Sequence, residues 1–250
     1  MRKMNEEKDT LLEKKSSRRS FLKNSGIAVG GLVLGGSLGS IFTSKQESSP
    51  EVIIHTDGSA VDYGESLQFF RRQADFDAIS AAMETIYPKD EKGPGAIELG
   101  APYFLDRQLA GPWGINADDY RKGPFLPGEI PLNNSEIFLA GARSLNKAAA
   151  DEFDASGFKA LEDEQKIALL SKYEAGEVEI PGVPSPLFFT MLRTATLHGC
   201  FCDPMYGGNK NMAGWSMKEF PGAQMSYLQY AESEEFVIIP PISVGGHSHS

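Results

Sequence analysis

Cysteine is scarce in this sequence, and its scarcity excludes one common way of stabilising a small fold. Only two cysteines, Cys200 and Cys202, occur among the 250 residues. Small domains that cannot build a sufficient core often compensate with several disulfides, which this pair cannot supply. The fold must therefore be held by packing, and an apolar content of 41% is ordinary for a domain that does so.

Positive charge is also scarce. The chain has 24 Lys and Arg against 34 Asp and Glu, a net charge of −10. Residues 1–44 have a net charge of +4, which leaves −14 on the remainder. Nucleic acids are bound by cationic side chains that displace phosphate counterions. The acidic body therefore excludes nucleic-acid partners.

A long hydrophobic run is missing as well. The apolar stretch 27–42 has 16 residues and several glycines, whereas a membrane-spanning helix needs roughly 20 apolar residues. It follows Arg18, Arg19, Phe21 and Leu22, a pattern that resembles the bacterial twin-arginine export signal. Residues 1–44 are therefore predicted to be such a signal rather than a permanent anchor.

The predicted signal has consequences for where the chain works. No clear Ala-x-Ala cleavage site follows the apolar stretch, so both cleavage and retention of the leader stay open. The twin-arginine translocase exports folded proteins, together with any subunit bound to them. The expected location is the periplasm or the outer face of the cytoplasmic membrane.

The remaining sequence predicts one domain. Residues 45–64 are polar and turn-rich, typical of a linker or arm, and residues 231–250 are predicted to be a C-terminal tail. Residues 65–230 show helical periodicity and no series of strands with period two. The predicted class is all-α, an irregular bundle of about five helices with long ordered loops, preceded by the signal segment.

Apolar residues at helical spacing define the five helices. The predicted spans are 65–87, 95–109, 134–153, 163–176 and 186–201. In the second of them, we expect four residues to face inward: Ile97, Ala101, Phe104 and Leu105. Between the second and third helices, three prolines in 113–132 forbid a continuous helix and predict a long ordered loop, of a kind that is often functional.

Residues 196–222 form a second unusual stretch, in which glycines and prolines interrupt aromatic residues. Gly207-Gly208 and Pro221-Gly222 supply turns, while the rings of Phe201, Tyr206, Trp215 and Phe220 can anchor the backbone. The pattern predicts a shaped loop, which we call the glycine-aromatic loop.

The order of residues in this loop resembles the motif of one known protein family. An Asp-Pro-x-Tyr-Gly-Gly-Asn run begins at Asp203-Pro204 and continues through Tyr206, Gly207, Gly208 and Asn209; Gly214-Trp215 and then Pro221-Gly222 follow. This arrangement resembles the gluconate 2-dehydrogenase subunit 3 family, the small subunit of membrane-associated, flavin-dependent sugar and sugar-acid dehydrogenases. Weaker resemblance extends to most of the chain after the leader, and the twin-arginine leader also fits the family.

The resemblance implies a non-catalytic accessory subunit. In such complexes a separate large subunit carries FAD and oxidises the sugar, and a cytochrome c subunit with haem c often passes electrons to the membrane. The small subunit supports maturation and export. The residues expected to contact the large subunit are Asp203, Pro204, Tyr206, Gly207, Gly208, Asn209, Gly214 and Trp215.

No catalytic, cofactor or metal site is expected in this chain itself. The sequence has no Gly-x-Gly-x-x-Gly after a predicted strand and no Cys-x-x-Cys-His for covalent haem. His247 and His249 could bind a metal, although a polar tail explains them more simply.

Four further residues each have more than one possible role. Asp203 could be a general base, or it could fix a turn before Pro204. His198 could be a base or ligand, or a hydrogen-bonded structural residue. Tyr206 and Trp215 could stack on a sugar, or they could anchor the loop or contact a partner.

The bonding state of the two cysteines also stays open. Cys200 and Cys202 point to different faces of a helix, so a disulfide between them requires strained geometry. They could be buried thiols, or one could form an intersubunit disulfide.

Two other functions stay open. The chain could be a stand-alone exported binding or structural module. With less support, it could be an independent exported enzyme, such as a hydrolase that uses Asp203, His198 and Tyr206.

Overall fold

A computed structural model describes residues 65–119, 123–126 and 128–246. The leader 1–44, with Arg18, Arg19, Phe21 and Leu22, lies outside the described residues, as do the linker 45–64, His247 and His249. The predicted mostly helical class is confirmed. The α-helices of the described part are α1 (Gln73–Ile86), α2 (Ala101–Ala110), α3 (Asn134–Phe153), α4 (Asp163–Ala175), α5 (Ser185–Phe201) and the short α6 (Ala213–Ser216).

Helix α5 lies at the centre of the bundle and packs on α1, α2, α3 and α4. Its Phe188 is fully buried and meets Phe138 of α3 and Tyr173 of α4 edge to face, with ring centroids 5.9 Å apart in both pairs. Such aromatic pairs add to the free energy of burial. The hydroxyl groups of Tyr173 and Ser144 share a hydrogen bond of 2.7 Å, so the buried ring leaves no polar group unpaired.

The helix ends follow local sequence. Asn133 accepts a hydrogen bond from the Glu136 amide while the Glu136 carboxylate accepts one from the Asn133 amide, which forms a capping box for α3. Helix α4 ends at Gly176 in the left-handed conformation that glycine adopts readily. A hairpin of two short strands, β1 (Glu179–Ile180) and β2 (Val183–Pro184), then leads into α5.

Two predicted helix starts are wrong. Helix α1 begins at Gln73 instead of residue 65, because the buried Asp106 carboxylate accepts hydrogen bonds from the amides of Gln68, Phe69 and Phe70 and holds them outside a helix. Helix α2 begins at Ala101 instead of residue 95, after Gly100 in the left-handed conformation.

The shorter α2 also changes one predicted core residue. Ile97 was expected to face inward, but its side chain is 47% exposed. The Glu84 carboxylate accepts a hydrogen bond of 2.8 Å from the Ile97 amide and fixes this segment as a turn. The other three predicted positions, Ala101, Phe104 and Leu105, are buried as expected.

None of the helices in the described part of the chain is both long and apolar enough to cross a membrane.

Candidate functional site

The glycine-aromatic loop begins later than predicted, because residues 196–201 are the last turns of α5. From Cys202 onward it leaves the C-terminal end of α5 and folds back on that helix. Two short 3-10 turns, Pro204–Tyr206 and Lys210–Met212, precede α6, and the chain reaches Gly222 after the Trp215 and Phe220 rings. The Asn209 amide donates a hydrogen bond of 2.8 Å to the carbonyl of Gly199 in α5, and the Lys210 amide donates one of 3.0 Å to the Leu99 carbonyl. These long-range contacts tie the loop to the helical bundle.

Asn209 is the polar centre of the loop. Its side chain is completely buried, donates a hydrogen bond of 2.9 Å to the Cys202 carbonyl and accepts one of 2.8 Å from the Gly214 amide. Its backbone is left-handed with φ of 46°, a conformation that asparagine tolerates better than most residues. One side chain therefore links both halves of the loop.

Two glycines permit the loop to lie directly on the backbone of α5. A Cβ atom on Gly208 would come within 2.2 Å of the Gly199 carbonyl oxygen, and one on Gly214 would come within 2.1 Å of the Cys200 carbonyl oxygen. Both distances are far below van der Waals contact, so no other residue fits at either position without movement of the backbone.

Trp215 anchors the loop from inside. Its side chain is 7% exposed, its Nε1 donates a hydrogen bond of 2.7 Å to the Phe201 carbonyl, and its ring meets Phe220 edge to face. Because the indole is buried and its only donor is engaged, the structure favours the anchoring role over stacking on a sugar. Tyr206, by contrast, is 52% exposed.

Asp203 joins the loop to residues 223–246, which we call the C-terminal segment. Its carboxylate accepts hydrogen bonds from the Met205 amide at 3.0 Å, the Ser243 hydroxyl at 2.6 Å and the Val244 amide at 2.8 Å. Burial alone would raise the pKa of Asp203, but these hydrogen bonds outweigh burial and lower the pKa. A carboxylate with a lowered pKa is a weak general base, so the turn-fixing role is the better supported one.

The C-terminal contribution to this site was not foreseen from the sequence. Ser243 and Val244 lie in the predicted tail, yet they bind Asp203, and Ile242 forms an isolated parallel bridge with Gly222. We call these contacts the Asp203 clasp. A Ser-Val pair 40 residues from Asp203 carries no local pattern that could have revealed the contact.

The two cysteines have different environments, and neither forms a disulfide within the described residues. Cys200 is completely buried, so only Cys202 is placed to reach another subunit without local unfolding. Burial, together with the nearby Asp203 charge, raises the pKa of the Cys202 thiol to about 11. Because the thiolate is the reactive form, Cys202 reacts slowly at neutral pH. The intersubunit disulfide stays a prediction.

His198 lies in the last turns of α5 and faces a different surface from Asp203 and Tyr206, with which an enzyme would combine it. It is exposed and lines a groove of about 380 Å³ between α2 and α5, with Phe104, Trp113 and Met191 on the walls. The groove contains neither Asp203 nor Tyr206. In the described ranges, no group of three or more His, Cys, Asp or Glu side chains is placed to hold a metal ion.

The eight predicted interface residues divide into two sets. Gly208, Asn209, Gly214 and Trp215 are buried and support the loop from inside. Asp203, Pro204, Tyr206 and Gly207 are at least partly exposed. Beside them, Met205 is 56% exposed and Val244 of the clasp is 56% exposed. Met205 and Tyr206 of the loop, with Val244 of the clasp, therefore form an exposed apolar patch on the outer face, above an interior that hydrogen bonds hold together.

Comparison with known families decides where this chain belongs. The sequence model of one family, described as gluconate 2-dehydrogenase subunit 3, matches residues 73–222, which is more than half of the chain. The chain belongs to the gluconate 2-dehydrogenase subunit 3 family. The predicted resemblance is thereby confirmed, and membership implies a subunit of a multi-subunit dehydrogenase complex.

The boundaries of the match follow the structure. In this subunit-3 protein the matched region begins at the first residue of α1 and ends at Gly222, the residue that pairs with Ile242. The C-terminal segment that closes the Asp203 clasp lies beyond the match. No curated protein and no solved structure is significantly similar to the chain.

Proposed function

We propose that this chain is a non-catalytic accessory small subunit of an exported, flavin-dependent, gluconate 2-dehydrogenase-like complex. It binds the large subunit that carries FAD and supports the maturation and twin-arginine export of that subunit. A cytochrome subunit with haem c is a further expected partner. The complex works in the periplasm or at the outer face of the cytoplasmic membrane.

One observation supports the binding role most strongly. The glycine-aromatic loop has a fixed interior, built by Asn209 and Trp215, beneath an outer face on which Met205, Tyr206 and Val244 are each more than half exposed. Apolar side chains that are exposed on a backbone fixed by hydrogen bonds are typical of surfaces that bind another protein, because the backbone loses little conformational freedom on binding. We assign this face to contact with the large subunit.

The arrangement of polar groups agrees with a non-catalytic role. The carboxylate of Asp203 is occupied by three hydrogen bonds, and His198 lines a separate groove. The described residues therefore do not bring the proposed hydrolase trio of Asp203, His198 and Tyr206 into one pocket. The oxidation itself belongs to the FAD of the large subunit in this proposal.

Affinity purification tests the proposal. The tagged chain is purified from its native host under mild conditions, and the eluate is analysed by mass spectrometry and visible absorbance. We expect a flavoprotein with flavin absorbance, and a haem band if the cytochrome is present. A colourless chain that purifies alone would contradict the proposal and favour a stand-alone module.

A pair of variants locates the interface. Met205→Asp places a charge on the apolar outer face, and we expect it to reduce recovery of the flavoprotein by about tenfold or more, because an unpaired charge is costly to bury. Ala168→Asp places the same charge at an exposed position of α4 and serves as the control. Equal recovery with both variants would remove the outer face from the interface.

A further inference from the structure

The groove between α2 and α5 combines polar residues of one helix with aromatic residues of the other helix and its continuation. Thr190, Thr194 and His198 follow one another at intervals of four residues, so they lie in one row along α5, and all three are exposed. Phe104 of α2 and Trp113, which follows that helix, supply the rings. The volume of about 380 Å³ lies within the range of roughly 300–1,000 Å³ that is typical of small-molecule sites.

The two tryptophans of the chain differ in a way that marks this groove. Trp215 is buried, and its indole Nε1 donates a hydrogen bond to the Phe201 carbonyl. Trp113 is 41% exposed, and its Nε1 has no hydrogen-bond partner in the part of the chain that the structure describes. The buried Phe138 ring supports the Trp113 ring at a centroid distance of 6.0 Å. A half-exposed, supported indole with an unused donor is suited to contact a ligand.

The polar side chains of the groove are available in the same sense. Within the described ranges, the hydroxyls of Thr190 and Thr194 and the imidazole of His198 form no hydrogen bond. The same holds for the side-chain amide of Gln108, which also lines the groove. The hydroxyl of Thr196, by contrast, donates to a carbonyl of its own helix. Each of the available groups can donate a hydrogen bond, and an indole only donates, so the set favours a ligand with acceptor oxygens.

Charge narrows the class of ligand further. None of the described residues that line the groove is Asp, Glu, Lys or Arg. A charged ligand would lose its hydration here without gaining a group of opposite charge. Flat rings pack favourably against aromatic side chains such as Trp113 and Phe104. The ligand that fits is therefore an uncharged ring with carbonyl or hydroxyl oxygens at its edge.

We propose that the groove between α2 and α5 binds a neutral ring compound that bears carbonyl or hydroxyl oxygens. The ring packs against Trp113 and Phe104, and its oxygens accept hydrogen bonds from the Trp113 indole and from the polar row on α5. The groove shares no lining residue with the outer face of the glycine-aromatic loop. The inference therefore goes beyond the proposed function and does not depend on it.

The indole resonances test the proposal directly, because the chain has only two tryptophans. Nitrogen–proton correlation spectra of the purified full chain are recorded with 2-naphthol, with naphthalene and with naphthalene-2-sulfonate. We expect neutral 2-naphthol to shift the indole signal of Trp113 until it saturates and to leave the signal of Trp215 unchanged. Naphthalene lacks the oxygen and the sulfonate is charged, so both should bind about threefold or more weakly.

Variants identify the groups that bind the oxygen. Trp113→Phe keeps a ring and removes the indole donor, and Thr194→Val keeps the side-chain shape and removes the hydroxyl. We expect each to weaken 2-naphthol binding about threefold to tenfold in calorimetric titrations, because each loses one hydrogen bond. Thr85→Val is the matched control with wild-type affinity, since Thr85 lies on α1 and its hydroxyl binds the Ala81 carbonyl. Thermal unfolding of each variant shows whether the fold is intact.

The outcomes separate this inference from the proposed function. Equal affinity for the three probes, or wild-type affinity in both Trp113→Phe and Thr194→Val, would overturn the inference. If the large subunit shifts the Trp113 signal and no probe does, the groove is a protein contact and the inference is overturned as well. Because the probes are tested on the chain alone, their failure to bind leaves the recovery of flavoprotein unaffected.

Discussion

At the scale of single residues, the glycine-aromatic loop depends on buried polar contacts. Asn209 and Trp215 satisfy backbone carbonyl groups that the turns leave exposed to the loop interior. A buried polar group without a partner costs more free energy than its hydrogen bond contributes, so these side chains fix one loop conformation.

The first prediction separates the two roles of Asn209. Asn209→Ala removes two buried hydrogen bonds and leaves a β-carbon in the left-handed conformation, so we expect the free energy of unfolding to fall by about 2–4 kcal/mol. Asn209→Gly loses the same hydrogen bonds but relieves the backbone strain, so it is expected to be less damaging by about 1 kcal/mol. Urea unfolding measures both. Two equally stable variants would contradict the strain argument.

The second prediction concerns the reactivity of the thiols. With the pKa of Cys202 raised to about 11, roughly one thiol in a thousand is ionised at pH 8. Iodoacetamide should therefore label the native chain slowly at pH 8, and the rate should rise about tenfold per pH unit toward pH 11. Mass spectrometry follows the labelling. Cys202→Ser should abolish it, since Cys200 is buried, and rapid labelling at pH 8 would contradict the account.

At the scale of secondary-structure elements, single carboxylates set the ends and connections of helices. Asp106 of α2 is completely buried and binds three successive amides of the segment before α1. Asp203 similarly holds the C-terminal segment against the loop. In both places one charged side chain replaces a regular backbone ladder.

The third prediction is that Asp106 positions the start of α1. Asp106→Ala leaves three amides without their acceptor, and we expect it to lower the free energy of unfolding by about 3 kcal/mol or more. Asp106→Asn keeps one acceptor oxygen and should cost clearly less. Chemical denaturation compares the two. If alanine were tolerated as well as asparagine, the amides of Gln68, Phe69 and Phe70 would not depend on this side chain.

The fourth prediction gives the pH dependence of the Asp203 clasp. The pKa of Asp203 is lowered in the folded chain from an ordinary value of 3.8. Its stabilisation is therefore fully present above pH 3.8 and is lost as the pH falls through the lower, folded value. The Val244 amide chemical shift should stay constant above pH 4 and change only below it. Asp203→Asn should remove this titration, and a midpoint above pH 4 would contradict the assignment.

The sequence predicted the elements better than their ends. Periodicity found all five long helices because each buries one continuous apolar face. It failed at the starts of α1 and α2, where Asp106 and Glu84 bind amides that are distant in sequence. The prediction that Ile97 faces inward was wrong for the same reason. Sequence spacing alone does not distinguish an apolar residue in a helix from one in the turn that precedes the helix.

The candidate site was predicted only in part for a related reason. The order of glycines and aromatic residues revealed the loop, and anchoring was one of the roles kept open for Trp215, which was also expected at the partner interface. Which of its residues face solvent depends on α5 packing beneath Gly208 and Gly214, and periodicity does not encode that. The Asp203 clasp joins residues about 40 positions apart and could not be found from either end alone.

At the scale of the whole molecule, the exposed apolar residues explain why a chain with this fold would need a partner. Many of them lie on the outer face of the glycine-aromatic loop and in the C-terminal segment, with Met225, Leu228 and Phe236 more than four-fifths exposed. Patches of this kind on a stable bundle usually mark a protein interface. The proposed escort function requires that this interface form before export.

The fifth prediction tests that central claim most directly. The change is Arg18→Lys with Arg19→Lys, which alters the predicted export address and leaves the described domain untouched, because the receptor reads the arginines specifically. The measurement is the flavoprotein content and dehydrogenase activity of the exported and cytoplasmic fractions. We predict that both disappear from the exported fraction and accumulate inside the cell. Flavoprotein exported at wild-type levels without the arginine pair would contradict the escort function.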